Sequence, residues 1–122
     1  MLKDNEVKYK GGVTITEEDR QFVTTIDSDK FTIQIPTQFE KTVITNAVSR
    51  LIGGVNIESI ELREYERIKM VATLCKVVKF APDWWTSADE CPDEDLLWKL
   101  WRFYLEANDS FALRLKTKSN TK

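Results

Sequence analysis

Six carboxylates lie within a thirteen-residue window of the chain. Carboxylate oxygens are the ligands that calcium and magnesium prefer, and two carboxylates can divide the roles of general acid and general base. The segment "DECPDED" has neither the regular acidic spacing nor the central glycine of a calcium-binding loop. Acids of this kind are typical of a solvated loop that leads into a helix, because helix N-termini stabilise carboxylates. We therefore predict no metal ion and no cofactor at these acids, which are Asp83, Asp89, Glu90, Asp93, Glu94 and Asp95.

The chain contains no histidine. This removes the usual general base, the commonest metal ligand and the partner that activates a catalytic serine or cysteine. The paired glycines in "KGGV" and "IGGV" lack the lysine or third glycine of phosphate-binding loops. Cys75 is expected on the buried face of a helix and Cys91 in an acidic loop, so neither suggests a reactive thiol. The sequence predicts a non-enzymatic protein, and a carboxylate-metal enzyme is the least favoured class.

All four tryptophans fall within eighteen residues. Trp84 and Trp85 follow a proline, where large rings commonly cover the end of a core. At about 100° per residue, Trp98, Trp101 and Leu105 lie beside the main apolar stripe of the last helix and form a second ridge. Either a loop or hairpin of the same chain covers this ridge, or a partner does. We predict the ridge as a partner-binding site, Trp84 and Trp85 as secondary anchors, and an acidic rim made by Asp93, Glu94 and Asp95.

Charge is distributed unevenly along the 122 residues. Residues 83–113 carry eight acids against Lys99 and Arg102, which gives −6, whereas the whole chain sums to −2. An acidic region repels nucleic acid, so a protein partner is the better prediction. No apolar run is long enough for a membrane span, and the N-terminus lacks an apolar signal segment. We expect one domain that stays in the compartment where it is made.

Two β-hairpins are predicted within residues 6–35. Apolar and charged residues alternate on both sides of Gly11-Gly12, which offers a two-residue turn. A stronger alternation surrounds the turn residues 27–29 and ends at Pro36, because proline cannot supply a ladder N–H.

Three helices are predicted after the hairpins. Thr37 and Glu40 have the spacing of a capping box, and a glycine pair ends the first helix. Its apolar face is predicted to include Phe39 and Leu51, and that of the second helix to include Cys75. The predicted bounds are 37–52, 59–80 and 92–112, followed by a flexible basic tail at 114–122. Residues 1–113 therefore form a single α+β domain in which N-terminal hairpins or a meander pack against three α-helices.

After the short β opening, the three predicted helices lie in the segments "IPTQFEKTVITNAVSRLIGG", "EYERIKMVATLCKVVKFAPDWW" and "DEDLLWKLWRFYLEANDSF". In the order and spacing of these segments the chain resembles small morphogenesis proteins of tailed bacteriophages, namely tail assembly chaperones and small virion assembly components. The resemblance implies a non-enzymatic protein of the host cytoplasm during assembly, or of the virion. It also implies partners among other phage proteins, structural or tape-measure-like, and an oligomer or hetero-complex.

An acidic inhibitor is the alternative function. Such a protein would use residues 83–95 to mimic nucleic acid and would bind a basic host nucleic-acid-binding or defence protein. Such an inhibitor would be identified by tight, salt-sensitive binding to a basic host protein that is lost when Asp93, Glu94 and Asp95 are neutralised.

Overall fold

Five short strands and three helices follow one another in the computed structural model, which describes residues 6–54 and 56–120. In chain order they are β1 (Val7–Tyr9), β2 (Val13–Ile15), β3 (Gln21–Ile26), β4 (Asp29–Gln34), α1 (Gln38–Ile52), α2 (Leu62–Val77), β5 (Val78–Phe80) and α3 (Glu94–Asn120). β1 and β2 form a two-stranded antiparallel sheet, and β3, β4 and β5 form a three-stranded antiparallel sheet in that order. The predicted α+β class, with N-terminal hairpins and three helices in one domain, is confirmed.

The β3–β4 hairpin pairs six residues of each strand without interruption. Its loop has two residues, Asp27 and Ser28, whose φ values are 51° and 74°. Positive φ at both loop residues is the condition for the type I′ turn, which matches the twist of the flanking strands. Asp29, which the sequence analysis assigns to the turn, already belongs to β4 and pairs with Ile26.

The β1–β2 hairpin has only three residues in each strand. Its loop spans three residues, Lys10–Gly12, instead of the predicted glycine pair, because Lys10 takes part in a 3-10 turn. Gly11 and Gly12 have φ values of 75° and 76°, a region in which a β-carbon is disfavoured. Of the strand residues, only Ile15 is buried.

α1 begins and ends as predicted. Thr37 and Glu40 form a reciprocal capping box, and Gly53 ends the helix in the left-handed conformation. The predicted apolar face is partly wrong: Phe39 is 77% exposed, and Leu51 is also exposed. α1 packs on α2, and Val48 is its one buried residue. Only the strip of α1 that faces α2 is therefore covered.

α2 ends three residues earlier than predicted, because Val78–Phe80 leaves the helix and becomes β5. This strand pairs with β4, which supplies the backbone hydrogen bonds that the helix would have made, and β-branched residues suit that conformation. The helix begins at Leu62, whereas the prediction starts it near residue 59. Cys75, predicted as buried, is exposed, since the core side of α2 carries Met70 and Leu74 instead.

The core lies between the three-stranded sheet and the helices α2 and α3. The inner face of β4 supplies it with side chains at period two, as predicted, and these are completely or almost completely buried. The fully buried large side chains are Phe31, Ile33, Ile35, Met70, Leu74, Val77 and Leu100.

α3 extends eight residues beyond its predicted end. It begins at Glu94 and continues to Asn120, so the predicted basic tail at 114–122 is helical as far as it is described. Arg114 donates from Nη1 to the carbonyls of Asp19 and Gln21 at 3.0 and 3.4 Å. Lys118 Nζ lies 2.6 Å from Asp19 Oδ2. These contacts tie the last turns of α3 to the start of β3, whereas Lys122 lies outside the described residues.

Candidate interaction surfaces

Trp101, the centre of the predicted ridge, belongs to the core. Its side chain is 7% exposed, and its ring stacks on Tyr104 at 5.4 Å between centroids. The indole Nε1 donates to Glu66 Oε2 at 2.8 Å, which satisfies the only polar group of the ring. Trp101 is therefore covered by α2 and is not available as a partner anchor, which corrects the prediction.

Trp98 is half-buried, and α2 covers it as well. The Arg63 guanidinium lies over its ring at 5.0 Å from the centroid, and its Nε1 donates to Glu94 Oε2 at 3.1 Å. Leu105, the third member of the ridge, remains 46% exposed. The ridge is thus covered in part by its own chain, and the cover is α2 instead of the hairpins considered from the sequence.

The three rim acids each have a local structural role at the start of α3. Asp93 Oδ1 accepts the Leu96 N–H at 3.1 Å as a helix cap. Glu94 holds the indole of Trp98, and Asp95 pairs with Lys99 at 3.3 Å. Asp95, together with Asp27 of the β3–β4 turn, raises the pKa of Lys99. These contacts are sufficient to explain the acids as part of the fold.

Trp84 and Trp85 pack at the corner predicted for them. Both rings meet Phe31 edge-on, at centroid distances of 6.3 and 5.5 Å. Trp85 is half-buried and packs against the core, while Trp84 is exposed and donates from Nε1 to Asp29 Oδ2 at 3.2 Å. Trp85 is thus mainly a packing residue, and Trp84 keeps an accessible face.

An apolar cleft separates the β1–β2 hairpin from the C-terminal half of α3. Its volume is about 680 Å³, and the start of α1 forms its third side. This volume falls in the range of about 300–1,000 Å³ that is typical of binding sites. We call it the hairpin cleft. Its apolar lining is Val7, Tyr9, Ile15, Ile35, Pro36, Phe111, Ala112 and Leu115, and its polar lining is Arg20, Thr37, Gln38, Lys41, Asn108 and Asp109.

The hairpin cleft was not predicted from the sequence. Leu115, which lines it, falls in the segment 114–122 that is predicted to be a flexible tail. The signal that could have identified this wall is the spacing of Phe111 and Leu115, which places both on one face of any helix that continues past residue 112. What prevented the prediction was the basic composition of residues 114–122, which is also typical of an unfolded end.

A buried arginine supports the hairpin cleft at its α1 side. Arg20 donates from Nη1 to the carbonyl of Ile35 at 2.9 Å and lies 3.4 Å from Glu40 Oε1. Partial burial opposes the ionisation of Glu40, but the Thr37 N–H and the charge of Arg20 lower its pKa. Arg20 Nε has no hydrogen-bond partner among the described residues. Arg20 thereby joins the end of β4 to the capping box of α1.

The two thiols lie away from the hairpin cleft. Cys75 Sγ donates to Asp89 Oδ1 at 3.3 Å. Partial burial of the sulfur, and then the neighbouring Asp89 carboxylate, raise the pKa of Cys75, which favours the less reactive thiol form. In the part of the chain that the structure describes, no three Cys, Asp or Glu side chains group closely enough to hold a metal ion.

The described helices do not include one with the length and apolar character that membrane crossing requires. Comparison of the chain with models of known protein families, with curated proteins and with solved structures gives no match.

Proposed function

We propose that the protein is a non-enzymatic protein–protein interaction module whose partner binds in the hairpin cleft. The observation that carries this proposal is an apolar cleft formed by three separate elements and lined by large side chains from each. Tyr9 comes from the hairpin, Pro36 from the segment before α1, and Phe111 and Leu115 from α3. Grooves of this kind accept the apolar face of a partner segment.

Two exposed apolar side chains near the hairpin cleft, Phe39 and Leu105, favour a protein over a small molecule as its partner. Phe39, one residue beyond the α1 side of the cleft, is exposed and lines a neighbouring cavity that shares Val7 and Thr37 with the cleft. On α3, Leu105 precedes Ala112 by seven residues, so the two lie on the same face of the helix. Exposed large apolar side chains beside a binding cleft are typical of protein interfaces.

The roles of the predicted site residues change accordingly. Leu105 remains a proposed contact, whereas Trp98 is half-buried beneath Arg63 of α2 and Trp101 belongs to the core. The acidic-inhibitor alternative has less support, because Asp93, Glu94 and Asp95 are engaged in holding the start of α3.

As the biological setting we propose the assembly of tailed-phage particles, in the host cytoplasm and with other phage proteins as partners. This part of the proposal rests on the resemblance in the order and spacing of the helices. A tail assembly chaperone and a small virion component are both compatible with a groove that binds a partner segment. A small complex with one long helical protein would favour the chaperone, and a ring or stacked oligomer would favour the virion component.

The test uses one charge-bearing substitution inside the hairpin cleft and a matched one outside it. Ala112→Arg places a long cation in the cleft at a helix position where arginine is well tolerated. Ser110→Arg places the same side chain on the same helix, about 160° away around the axis. The tagged proteins are isolated with their partners from cells that produce the particles, and the complexes are weighed by native mass spectrometry.

We expect the wild type and Ser110→Arg to retain the same partner, and Ala112→Arg to lose it while keeping its helical circular dichroism. Retention by Ala112→Arg would remove the hairpin cleft from the proposal. A partner that is not a component of the particle would instead remove the phage setting and leave the cleft in place.

A further inference from the structure

β3 is an edge strand, since among the described residues no strand pairs with its outer backbone groups. The Ile35 N–H donates to the Arg20 carbonyl at 2.8 Å, so Arg20 is one of the residues whose backbone faces β4. Because backbone direction alternates along a strand, Gln21, Val23 and Thr25 direct their N–H and C=O groups to the other side. No strand among the described residues lies on that side.

The two edges of the three-stranded sheet are protected very differently. β5 has only three residues, contains Lys79, and pairs with β4 through an irregular register, all of which discourage a further strand. β3 has six residues, "QFVTTI", with no charge, no proline and no interruption of its register. Its residues favour the extended conformation, and Val23 is 54% exposed. An edge with these properties invites pairing with another chain.

The same chain covers only the first part of this edge. Arg114 Nη1 donates to the carbonyls of Asp19 and Gln21, and its guanidinium lies over the Phe22 ring at 4.0 Å. Among the described residues, no hydrogen bond from another element reaches the outer backbone groups of Val23 or Thr25. The part of the chain that the structure describes therefore leaves two donors and two acceptors at the centre of β3 available.

The position of α3 decides what kind of chain can pair there. Lys99 lies 3.8 Å from Asp27 at one end of β3, and Arg114 contacts Gln21 at the other. The fifteen-residue rise of the helix, about 22 Å, matches the length of the strand, about 20 Å. α3 thus runs along the whole of β3. If two copies paired through β3, their β3 strands would lie about 4.8 Å apart, whereas the axes of two packed helices must be about 8–10 Å apart. The α3 helices that accompany the strands would therefore clash, so the edge suits a segment without such a helix better than a second copy.

We propose that the β3 edge binds an extended segment of a partner protein by strand addition. The segment brings no helix of its own to this side. Its centre is uncharged, to match β3, and its ends complement the charges of the edge. A basic residue faces Asp27, whose side chain is 69% exposed, and an acidic residue faces Arg114. Antiparallel pairing, the more stable arrangement, places the basic residue at the N-terminal end of the segment. This inference is independent of the hairpin cleft.

The first test measures amide hydrogen exchange by NMR without any partner. The Val23 and Thr25 amides, which face outward, should exchange much faster than those of Phe22 and Thr24, which face β4. Protection of Val23 and Thr25 at all protein concentrations would mean that the chain covers its own edge, and the proposal would be wrong. Protection that grows with concentration would identify a second copy as the occupant, which also overturns it.

The second test adds a capped hexapeptide as a probe, in the order lysine, valine, threonine, valine, threonine, glutamate. We expect it to slow exchange at Val23 and Thr25 and to bind more tightly than the peptide of reversed order. Equal binding of the two peptides, or shifts confined to the hairpin cleft, would contradict the proposal.

A matched pair of variants isolates the backbone contribution. Val23→Pro removes an N–H that points outward and so leaves the β3–β4 ladder intact, whereas Val23→Thr keeps that N–H. With the loss of one hydrogen bond, the probe should bind Val23→Pro roughly fivefold to tenfold more weakly than Val23→Thr. Equal affinities in two variants with the same circular dichroism would show that the peptide does not add to the sheet.

Discussion

The two halves of α3 show why composition alone misplaces accessible apolar surface. The first half holds Trp98 and Trp101 beside several acids, which is typical of a recognition site, yet α2 covers both rings. The second half has the composition of a polar tail, yet Phe111 and Leu115 line the hairpin cleft. The difference lies in the neighbouring element. α2 packs against the first half, whereas the short β1–β2 hairpin leaves a cleft beside the second.

The largest expected effect tests whether the first half of α3 is core. Trp101→Ala removes a buried, stacked ring and leaves Glu66 without its indole donor, so we expect a loss of about 3–5 kcal/mol in the free energy of unfolding. Trp84→Ala removes an exposed ring at the other end of the tryptophan cluster and should cost about 1 kcal/mol or less. Urea denaturation followed by far-UV circular dichroism measures both. Equal losses would contradict the assignment of Trp101 to the core.

The next effect concerns the second half of α3. A chain that ends at Ala112 lacks Leu115, Arg114 and Lys118, and we expect it to lose about 1–2 kcal/mol of stability. It should also bind the partner of the hairpin cleft more weakly, because Leu115 is lost from the α3 wall of the cleft. A chain that ends at Lys118 keeps these contacts and serves as the control in both the denaturation and the binding measurement. Unchanged partner binding by the shorter chain would show that Leu115 does not contribute to the site.

The features of the fold that follow from local chemistry could be predicted from the sequence. The capping box of Thr37 and Glu40, the left-handed end at Gly53 and the alternation in β4 each depend on residues close together in the chain. β5 could not be predicted in the same way. Residues 78–80 continue the apolar pattern of α2, and only the open side of β4 makes them a strand.

The candidate site was predictable only in part, for the same reason. Helical geometry placed Trp98, Trp101 and Leu105 beside the main core stripe, but Trp101 belongs to the core because α2 covers this side of α3. Whether Glu66 and Arg63 would reach the two indoles is a matter of helix packing that periodicity does not reveal. The hairpin cleft lies between elements that are far apart in the chain. The contact of Arg114 with Asp19, which ties the end of α3 to the start of β3, joins residues almost a hundred positions apart.

A smaller effect on stability concerns the contact between Lys118 and Asp19. The pH dependence of stability shows whether this contact holds the end of α3 against the start of β3. Partial burial opposes the ionisation of Asp19, but hydrogen bonds from Lys118 and Thr16 lower its pKa below the ordinary value of about 3.8. The folded state therefore favours the carboxylate. The stabilisation of the fold by the Asp19 carboxylate is fully present above the pKa that Asp19 has in the unfolded chain. It is lost as the pH falls through the lower pKa that Asp19 has in the folded protein.

Lys118→Ala should therefore cost about 0.2–1 kcal/mol at neutral pH. It should also lose less stability than the wild type between about pH 5 and pH 2. Lys30→Ala, a change at an exposed position of β4, is the comparison for a general effect of charge. Parallel pH profiles for the wild type and Lys118→Ala would indicate that the end of α3 is not held by Asp19.

The smallest effect on stability is expected at Leu105, where the two halves of α3 meet. Its side chain is 46% exposed, so Leu105→Ala removes little buried area and should cost less than about 1 kcal/mol. Its seven-residue spacing from Ala112 places it in line with the hairpin cleft, so the same change should weaken partner binding, by about tenfold if Leu105 is an anchor. Leu113→Ala removes the same atoms from another exposed position on α3 and provides the control. If both substitutions weaken binding equally, the effect belongs to the helix as a whole, and the proposed surface ends at the cleft.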